Sequence, residues 1–288
     1  MTLVEVVRGQ SARLDQAGAS FGHGTTHAFD EAAWLALAAL GLPAGAFGAH
    51  ARRTITAPER ARIEALVAER IATRKPAAYL THEAWLQGVA FHCDERALVP
   101  RSFIAELIAD GTLDAWLAPG ATRVLDLCTG GGSLALLAAL AWPRVAVDAT
   151  DISADALDVA RINVERHALA GRITLLHGDL YAAVRGRYDL ILCNPPYVNA
   201  ASMAALPAEY RAEPALALAG GEDGMDVVRR IVGEAGAFLT EHAALVLEVG
   251  NGRRNFERAF PRLEALWLET SGGVDQVLLL TRETLSAT

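Results

Sequence analysis

Long hydrophobic runs are missing from this 288-residue chain: no apolar stretch approaches the roughly 18 residues that a membrane-spanning helix needs. The opening "MTLVEVVRGQ" has neither a basic region nor a long apolar stretch, so no secretory signal is expected, and a cytoplasmic location is. Cysteine is scarce. Cys93, Cys128 and Cys193 are scattered, odd in number and without CxxC spacing, which excludes a disulfide framework and fits a reducing compartment with all three as thiols. His82, His92 and His177 have no partner at metal-ligand spacing, so no metal is expected. Lysine is represented only by Lys75; arginine supplies the remaining positive charge, a compositional habit rather than chemistry. Net positive charge is also absent. The formal charge is −8, with 10 basic and 10 acidic residues over 1–100 but 16 and 24 over 101–288. An acidic C-terminal part weighs against a broad phosphate-binding surface and leaves direct nucleic-acid binding secondary at most.

What remains is an ordinary globular composition, 52% hydrophobic and 21% charged, on a chain long enough for two unequal domains. "DEAAWLALAALG" at 30–41 predicts a helix with Asp30 and Glu31 at its favourable end and Gly41 and Pro43 as its stop. A second helix starts in "TAPERARIEALVAERIATRKP", where Ile63, Leu66, Val67 and Ile71 give a buried stripe and Pro76 closes it. Residues 1–78 thus form a small helical domain, either a packing unit or a substrate-recognition cap. In "YLTHEAWLQGVAFHCDERALVP" short β-like pieces surround Gly88, predicting a β-hairpin linker over 79–101. From 102 to 288 strands alternate with helices. Strands are predicted at 123–128, 145–150, 172–176, 188–193, 243–249, 264–269 and 275–281, and helices at 102–117, 132–141, 153–167 and 223–240. This is an α/β pattern, a doubly wound seven-stranded sheet whose last two strands form an antiparallel hairpin.

"RVLDLCTGGGSLALLAAL" reads as a buried strand, a turn through Thr129 and Gly130, Gly131 and Gly132, and a helix. Glycines let backbone approach a ligand closely, and a helix N-terminus favours electron-rich groups there. The next strand, "VAVDATDIS", ends at Asp151, placed to accept from ribose hydroxyls. Gly130, Gly132 and Ala135 also satisfy G-x-G-x-x-A, so NAD and S-adenosyl-L-methionine both remain open at this point. Asp126 either holds the turn through backbone amides or touches the cofactor. Asp179 in "LLHGDLY" ends the third strand beside the site, with Leu180 ready to pack on an adenine face.

"DLILCNPPYVNA" at 189–200 is a core strand that stops on Asn194, Pro195, Pro196 and Tyr197. Prolines donate no ladder hydrogen bonds and restrict the residues before them, so the bend is rigid. It holds the Asn194 side chain and the Pro195 carbonyl as two acceptors for one planar –NH2 group, with Tyr197 as a flat wall. Such a nitrogen is a poor nucleophile and needs placement against a strong electrophile, which a sulfonium methyl is and a nicotinamide is not. The tetrapeptide therefore selects methyl transfer from S-adenosyl-L-methionine.

"DLCTGGGS", "DIS" and "NPPY" in this order resemble the seven-stranded Rossmann-like S-adenosylmethionine-dependent methyltransferases that act on amide or exocyclic amino nitrogens. The resemblance implies that Asn194 and the Pro195 carbonyl bind the target nitrogen. It implies that the turn from Cys128 to Gly132, Asp151 and the cofactor side of Asn194 bind S-adenosyl-L-methionine. Cys128 stands where many relatives carry glycine. The helical N-terminus, the hairpin and "VPR" at Val99–Arg101 make the chain similar to the protein-glutamine N(5)-methyltransferases. "FGHGT", "AYLTHEAWLQG", "LVPRS" and "NPPYVNAASMAALPAEYRAEPALALAGGEDGMD" look like the branch acting on ribosomal protein L-three of the large subunit, which becomes the implied partner. Departures are Ala212, where histidine is expected, and Phe103. The release-factor branch, adenine-N6 methylation and a non-catalytic ribosome-assembly factor are the alternatives. Glu209, Tyr210, Arg211 and Glu213 either help wall the crevice, some of them gripping the substrate backbone, or belong to a loop packed on its own domain, and Glu248 is expected to close a buried polar contact. Cys128 and Cys193 are expected to approach each other.

Overall fold

The computed structural model describes residues 1–117 and 120–286. Its first 81 residues carry five helices: α1 (Leu3–Gln16), α2 (Ala28–Ala39), α3 (Phe47–His50), α4 (Ala57–Thr73) and α5 (Ala77–Thr81). The sequence reading placed no helix before residue 30, yet Leu3, Val6, Val7, Gln10 and Leu14 of α1 are buried at helical spacing. The Glu5 carboxylate accepts the Thr2 amide at 2.7 Å and starts that helix. Thr56 and Glu59 form the same capping box for α4, which stops at Arg74 in the left-handed conformation (φ 59°). Leu3, Val7, Leu35, Ala36, Ile63 and Val67 close a core of their own.

The strands β1 (Ala84–Leu86) and β2 (Val89–Phe91) pair antiparallel across Gln87 and Gly88, the hairpin predicted around that glycine. After it come α6 (Ile104–Ala109), β3 (Arg123–Leu127), α7 (Ser133–Ala141), β4 (Ala146–Asp151), α8 (Ala154–Arg166), β5 (Ile173–His177) and β6 (Tyr188–Cys193). Then follow α9 (Ala200–Ala205), α10 (Ala208–Arg211), α11 (Asp226–Phe238), β7 (Leu239–Glu248), α12 (Arg253–Ala259), β8 (Leu266–Thr270), β9 (Gly273–Thr281) and α13 (Arg282–Ser286). The helix predicted over 102–117 is broken: Gly111 at φ 78° ends it, and a 3-10 turn over Thr112–Trp116 follows. The short helices α9, α10, α12 and α13 were not foreseen. At four to seven residues they are too short for a periodic signal.

Seven strands form one sheet in the order β5-β4-β3-β6-β7-β9-β8. β3 pairs parallel with β4 on one side and β6 on the other, and β9 runs antiparallel to both β7 and β8. Val124, Leu190, Leu192 and Val246 share a core with α6 and α7, whereas Leu125, Leu127, Ile191 and Leu245 share one with α11. The chain turns from one side of the sheet to the other between β3 and β6. That opens a crevice at their carboxyl ends, where open α/β sheets bind ligands.

Candidate active site

Where β3 ends, Cys128 adopts φ 57°, a left-handed conformation that glycine takes freely and cysteine does not. Gly130 (φ 55°) and Gly132 (φ 84°) complete the turn into α7. Asp126 lies beneath it, buried, with Oδ2 accepting the Thr129 hydroxyl at 2.5 Å and the Ala135 amide at 3.0 Å. Burial pushes its carboxyl up to about 7 despite those two donors, and the nearby Asp151 acts in the same direction. Asp126 lines a small void under the turn, not the cleft that Asp151 lines. Of its two sequence readings, the geometry matches the one in which it holds the turn. Gly132 also faces away from the cleft: a Cβ there would come within 3.2 Å of Ala160 Cβ and Leu136. That glycine serves close packing of α7.

Asp151 ends β4 and ties two loops together. Its Oδ2 accepts the Gly130 amide and its Oδ1 the Ser153 amide, both at 2.8 Å. Burial raises its carboxyl. Each oxygen keeps a lone pair for a further donor. With Gly130, Ile152, Leu180 and Pro196 it lines a cleft of about 220 Å³. Leu180 sits at φ 48° with its carbonyl accepting from the Thr150 hydroxyl at 3.3 Å, so its side chain is fixed as part of the cleft wall. Asp179 stands at the cleft with Oδ2 taken by Arg230 at 2.7 Å. Arg230, from α11, had no signal in the sequence beyond its place on the polar side of that helix.

A second compartment of about 590 Å³ is lined by Pro195, Tyr197, Phe103, Tyr210 and Glu248, and by Gly22 from the N-terminal part. Asn194 lines both compartments. Its Nδ2 donates to the Arg101 carbonyl at 3.3 Å, an orientation that leaves Oδ1 as the free acceptor of the side chain. Tyr197 donates its hydroxyl to Glu248 Oε1 at 3.0 Å. Glu248 also takes the Ser102 hydroxyl at 2.6 Å and the Phe103 amide at 2.9 Å. This is the buried polar contact anticipated for Glu248. The Cys128 and Cys193 thiols lie together, as expected from neighbouring strand ends, and burial pushes the Cys193 thiol up, with Cys128 adding to it.

Two of the residues expected to wall the crevice do something else. Glu209 and Glu213 are buried and join the N-terminal helices to the sheet part. Glu209 Oε1 pairs with Arg70 at 3.1 Å and Arg74 at 2.9 Å, and Glu213 binds His23 at 3.1 Å and Arg101 at 2.6 Å. Tyr210 does line the second compartment.

Residues 112–209 match the Methyltransferase small domain, and residues 5–81 match the PrmC N-terminal domain. Over 99% of its length the chain is 51% identical to the ribosomal protein uL3 glutamine methyltransferase of Bordetella pertussis, covering 96% of that protein. It is 50% identical to the protein of the same name in Burkholderia pseudomallei, again over 99% of this chain and 96% of the other. The chain belongs to the family of ribosomal protein uL3 glutamine methyltransferases. Its fold is shared with the hMettl16 catalytic domain, in a complex with MAT2A 3′UTR hairpin 6. That likeness has a TM-score of 0.54 at 15% identity and covers 78% of this chain and 81% of that one. A methyltransferase from Pyrococcus furiosus gives a TM-score of 0.51 at 20% identity, covering 79% of this chain and all but 1% of its own.

The methyl donor of the family is S-adenosyl-L-methionine, and the residues of the cleft fit it. A Cβ at Gly130 would meet nothing within 4 Å, so the turn is open where a ligand approaches. Ile152 and Leu180 supply apolar faces beside the Asp151 and Asp179 carboxylates, a set suited to an adenosine.

Proposed function

We propose that this family member methylates the side-chain amide nitrogen, N(5), of a glutamine in ribosomal protein uL3, in the cytoplasm. Asn194, Pro195, Pro196 and Tyr197 are the catalytic residues of this reading. Cys128, Gly130, Asp151, Asp179, Leu180 and the cofactor side of Asn194 hold the donor, with Asp126, Thr129, Gly131 and Gly132 shaping their turn. The observation that carries it is the position of Asn194 on the wall between the two compartments.

Asn194 Oδ1 and the Pro195 carbonyl accept the two hydrogens of the glutamine –NH2, which sets the plane of the amide and points its nitrogen toward the cleft. The bound donor supplies an electrophilic methyl carbon on a sulfonium. As the N–C bond forms, the bond from methyl to sulfur breaks, leaving a neutral thioether; the positive charge passes to the nitrogen, where the same two oxygens offset it because their dipoles are already in place, until one of its hydrogens is lost to solvent as a proton. A weak nucleophile gains most from this positioning, worth several kcal/mol in well-oriented systems, about 7–11 at the upper end. Tyr197 and Phe103 wall the substrate compartment. The helices of residues 1–78 recognise the protein around the glutamine, a role supported by Gly22 reaching the compartment and by the ion pairs that seat these helices on the sheet.

The test is mass spectrometry after incubating the chain and S-adenosyl-L-methionine separately with uL3 and with a peptide-release factor. One methyl group on a uL3 glutamine alone is expected. Methylation of the release factor alone would overturn the substrate, and a mark on neither, with donor binding intact, would overturn the reaction.

A further inference from the structure

Asn194 can present Oδ1 to the substrate only while its Nδ2 is held elsewhere, and what holds it is the main-chain carbonyl of Arg101. That carbonyl belongs to the strap 98–103, which passes beside both compartments through Leu98. Glu213 fastens the strap. Its Oε1 accepts the Val99 amide at 3.0 Å and Arg101 Nη1 at 2.6 Å, and its Oε2 accepts Arg101 Nη2 at 2.6 Å. This two-pronged contact fixes Arg101 in orientation as well as position. The Glu213 side chain has no solvent exposure, while Arg101 retains 28% and lines the second compartment. Glu213 Oε2 also takes His23 Nε2 at 3.1 Å, from the loop between α1 and α2. The His23 ring packs on Tyr210 at 4.3 Å, and the Arg101 guanidinium lies 5.4 Å from the same ring.

We infer that Glu213 is a positioning residue for Asn194: through Arg101 it holds the carbonyl that locks the asparagine amide, and through His23 it ties that lock to the seated N-terminal helices. The inference rests on the assignment of Asn194 as the acceptor of the substrate amide. Glu213 touches neither compartment itself. With its charge removed, the Arg101 fork loosens and Asn194 becomes free to turn its –NH2 toward the substrate, where two donors would face each other. Most of the donor cleft lies outside this lock: Gly130 and Asp151 are held by contacts of their own, and Leu98 and Asn194 are where the strap and the cleft meet.

The experiment compares Glu213→Gln and Arg101→Lys in the full chain, with uL3 as substrate and active sites counted by S-adenosyl-L-methionine titration. Expected for Glu213→Gln are a donor Kd within about twofold of the parent and a kcat per donor site lower by about tenfold or more, the scale of a small misplacement of a reacting group. The Asn194 side-chain 15N–1H signal, identified by its loss in Asn194→Ala, should shift as well. Arg101→Lys keeps the charge and the carbonyl but not the fork, so the same pattern at smaller size is expected, and it carries the test if Glu213→Gln does not fold. An unchanged kcat per donor site would overturn the inference, and so would a lost kcat with an unmoved Asn194 signal. Full activity in Asn194→Ala would instead bring down the functional assignment on which the inference stands.

Discussion

The Tyr197 hydroxyl and the Glu248 carboxylate meet at 3.0 Å between the end of β6 and the end of β7, and Glu248 also binds the strap at Ser102 and Phe103. Burial raises the Glu248 carboxyl, while the hydroxyl and amide donors act to lower it. Tyr197→Phe removes one of those donors and leaves the ring. A neutral-to-charged hydrogen bond of this kind is worth about 1.5–3 kcal/mol. We expect a loss of stability in that range and a drop in kcat/KM, with donor affinity unchanged, read by urea unfolding, kinetics and calorimetry. A variant with parental stability would show that the hydrogen bond contributes nothing net.

Arg70 has no solvent exposure and serves two carboxylates, Glu31 at 2.8 Å and Glu209 at 3.1 Å, together with the Ser20 carbonyl at 3.0 Å. Glu209 Oε2 is buried with no hydrogen-bond partner, so this carboxylate depends on what its other oxygen receives. Breaking a buried pair by deleting one partner costs about 3–5 kcal/mol, because a charge is left unpaired. Arg70→Ala is expected to destabilise the chain by that order in urea unfolding. Arg70→Ala combined with Glu209→Gln should recover part of the loss, and an additive double variant would contradict the pairing.

The sheet was legible because its strands are short apolar runs separated by helix-length polar periodicity, and a parallel sheet with both faces covered leaves that record. All seven strands were anticipated within a few residues, and the last two as an antiparallel hairpin. Asn194 was legible through Pro195 and Pro196, whose restrictions are local. Glu209 and Glu213 were misread because their partners, Arg70 and His23, lie well over a hundred residues earlier. Nothing in "EYRAEP" tells a crevice carboxylate from one that clamps two parts of a chain together. The break in the 102–117 helix was readable at Gly111, but the apolar residues around it kept helical spacing and masked the stop.

Asp126 gives a pH dependence with a definite sign. Burial pushes its carboxyl up to about 7, against an ordinary 3.8. Between those two values the folded chain binds the proton more tightly than the unfolded one, so this group's contribution to stability falls as pH rises. Asp126→Asn removes the titration while keeping the shape. We expect the stability of the parent relative to Asp126→Asn to decline from about pH 4 to about pH 7, at up to about 1.4 kcal/mol per unit. Urea unfolding of both proteins across that window measures it. A flat difference would mean that the Thr129 and Ala135 donors outweigh burial and keep the carboxylate charged throughout.

Gly250 follows β7 at φ 51°, and a Cβ there would lie 2.6 Å from Tyr197 Cε2 and 3.0 Å from Cζ. The glycine is therefore the back support of the aromatic wall, and Ala at this position must push the ring toward the substrate compartment or rotate it away from Glu248. Neither movement reaches the donor cleft, which Gly250 does not line. A displacement of about 1 Å in a positioning group can cost about a hundredfold in rate. Gly250→Ala is expected to lower kcat/KM for uL3 by about ten- to a hundredfold with the S-adenosyl-L-methionine Kd unchanged. Loss of donor binding in parallel with rate would mean that the ring supports the whole crevice, and an unchanged rate would remove Tyr197 from the list of residues whose position matters.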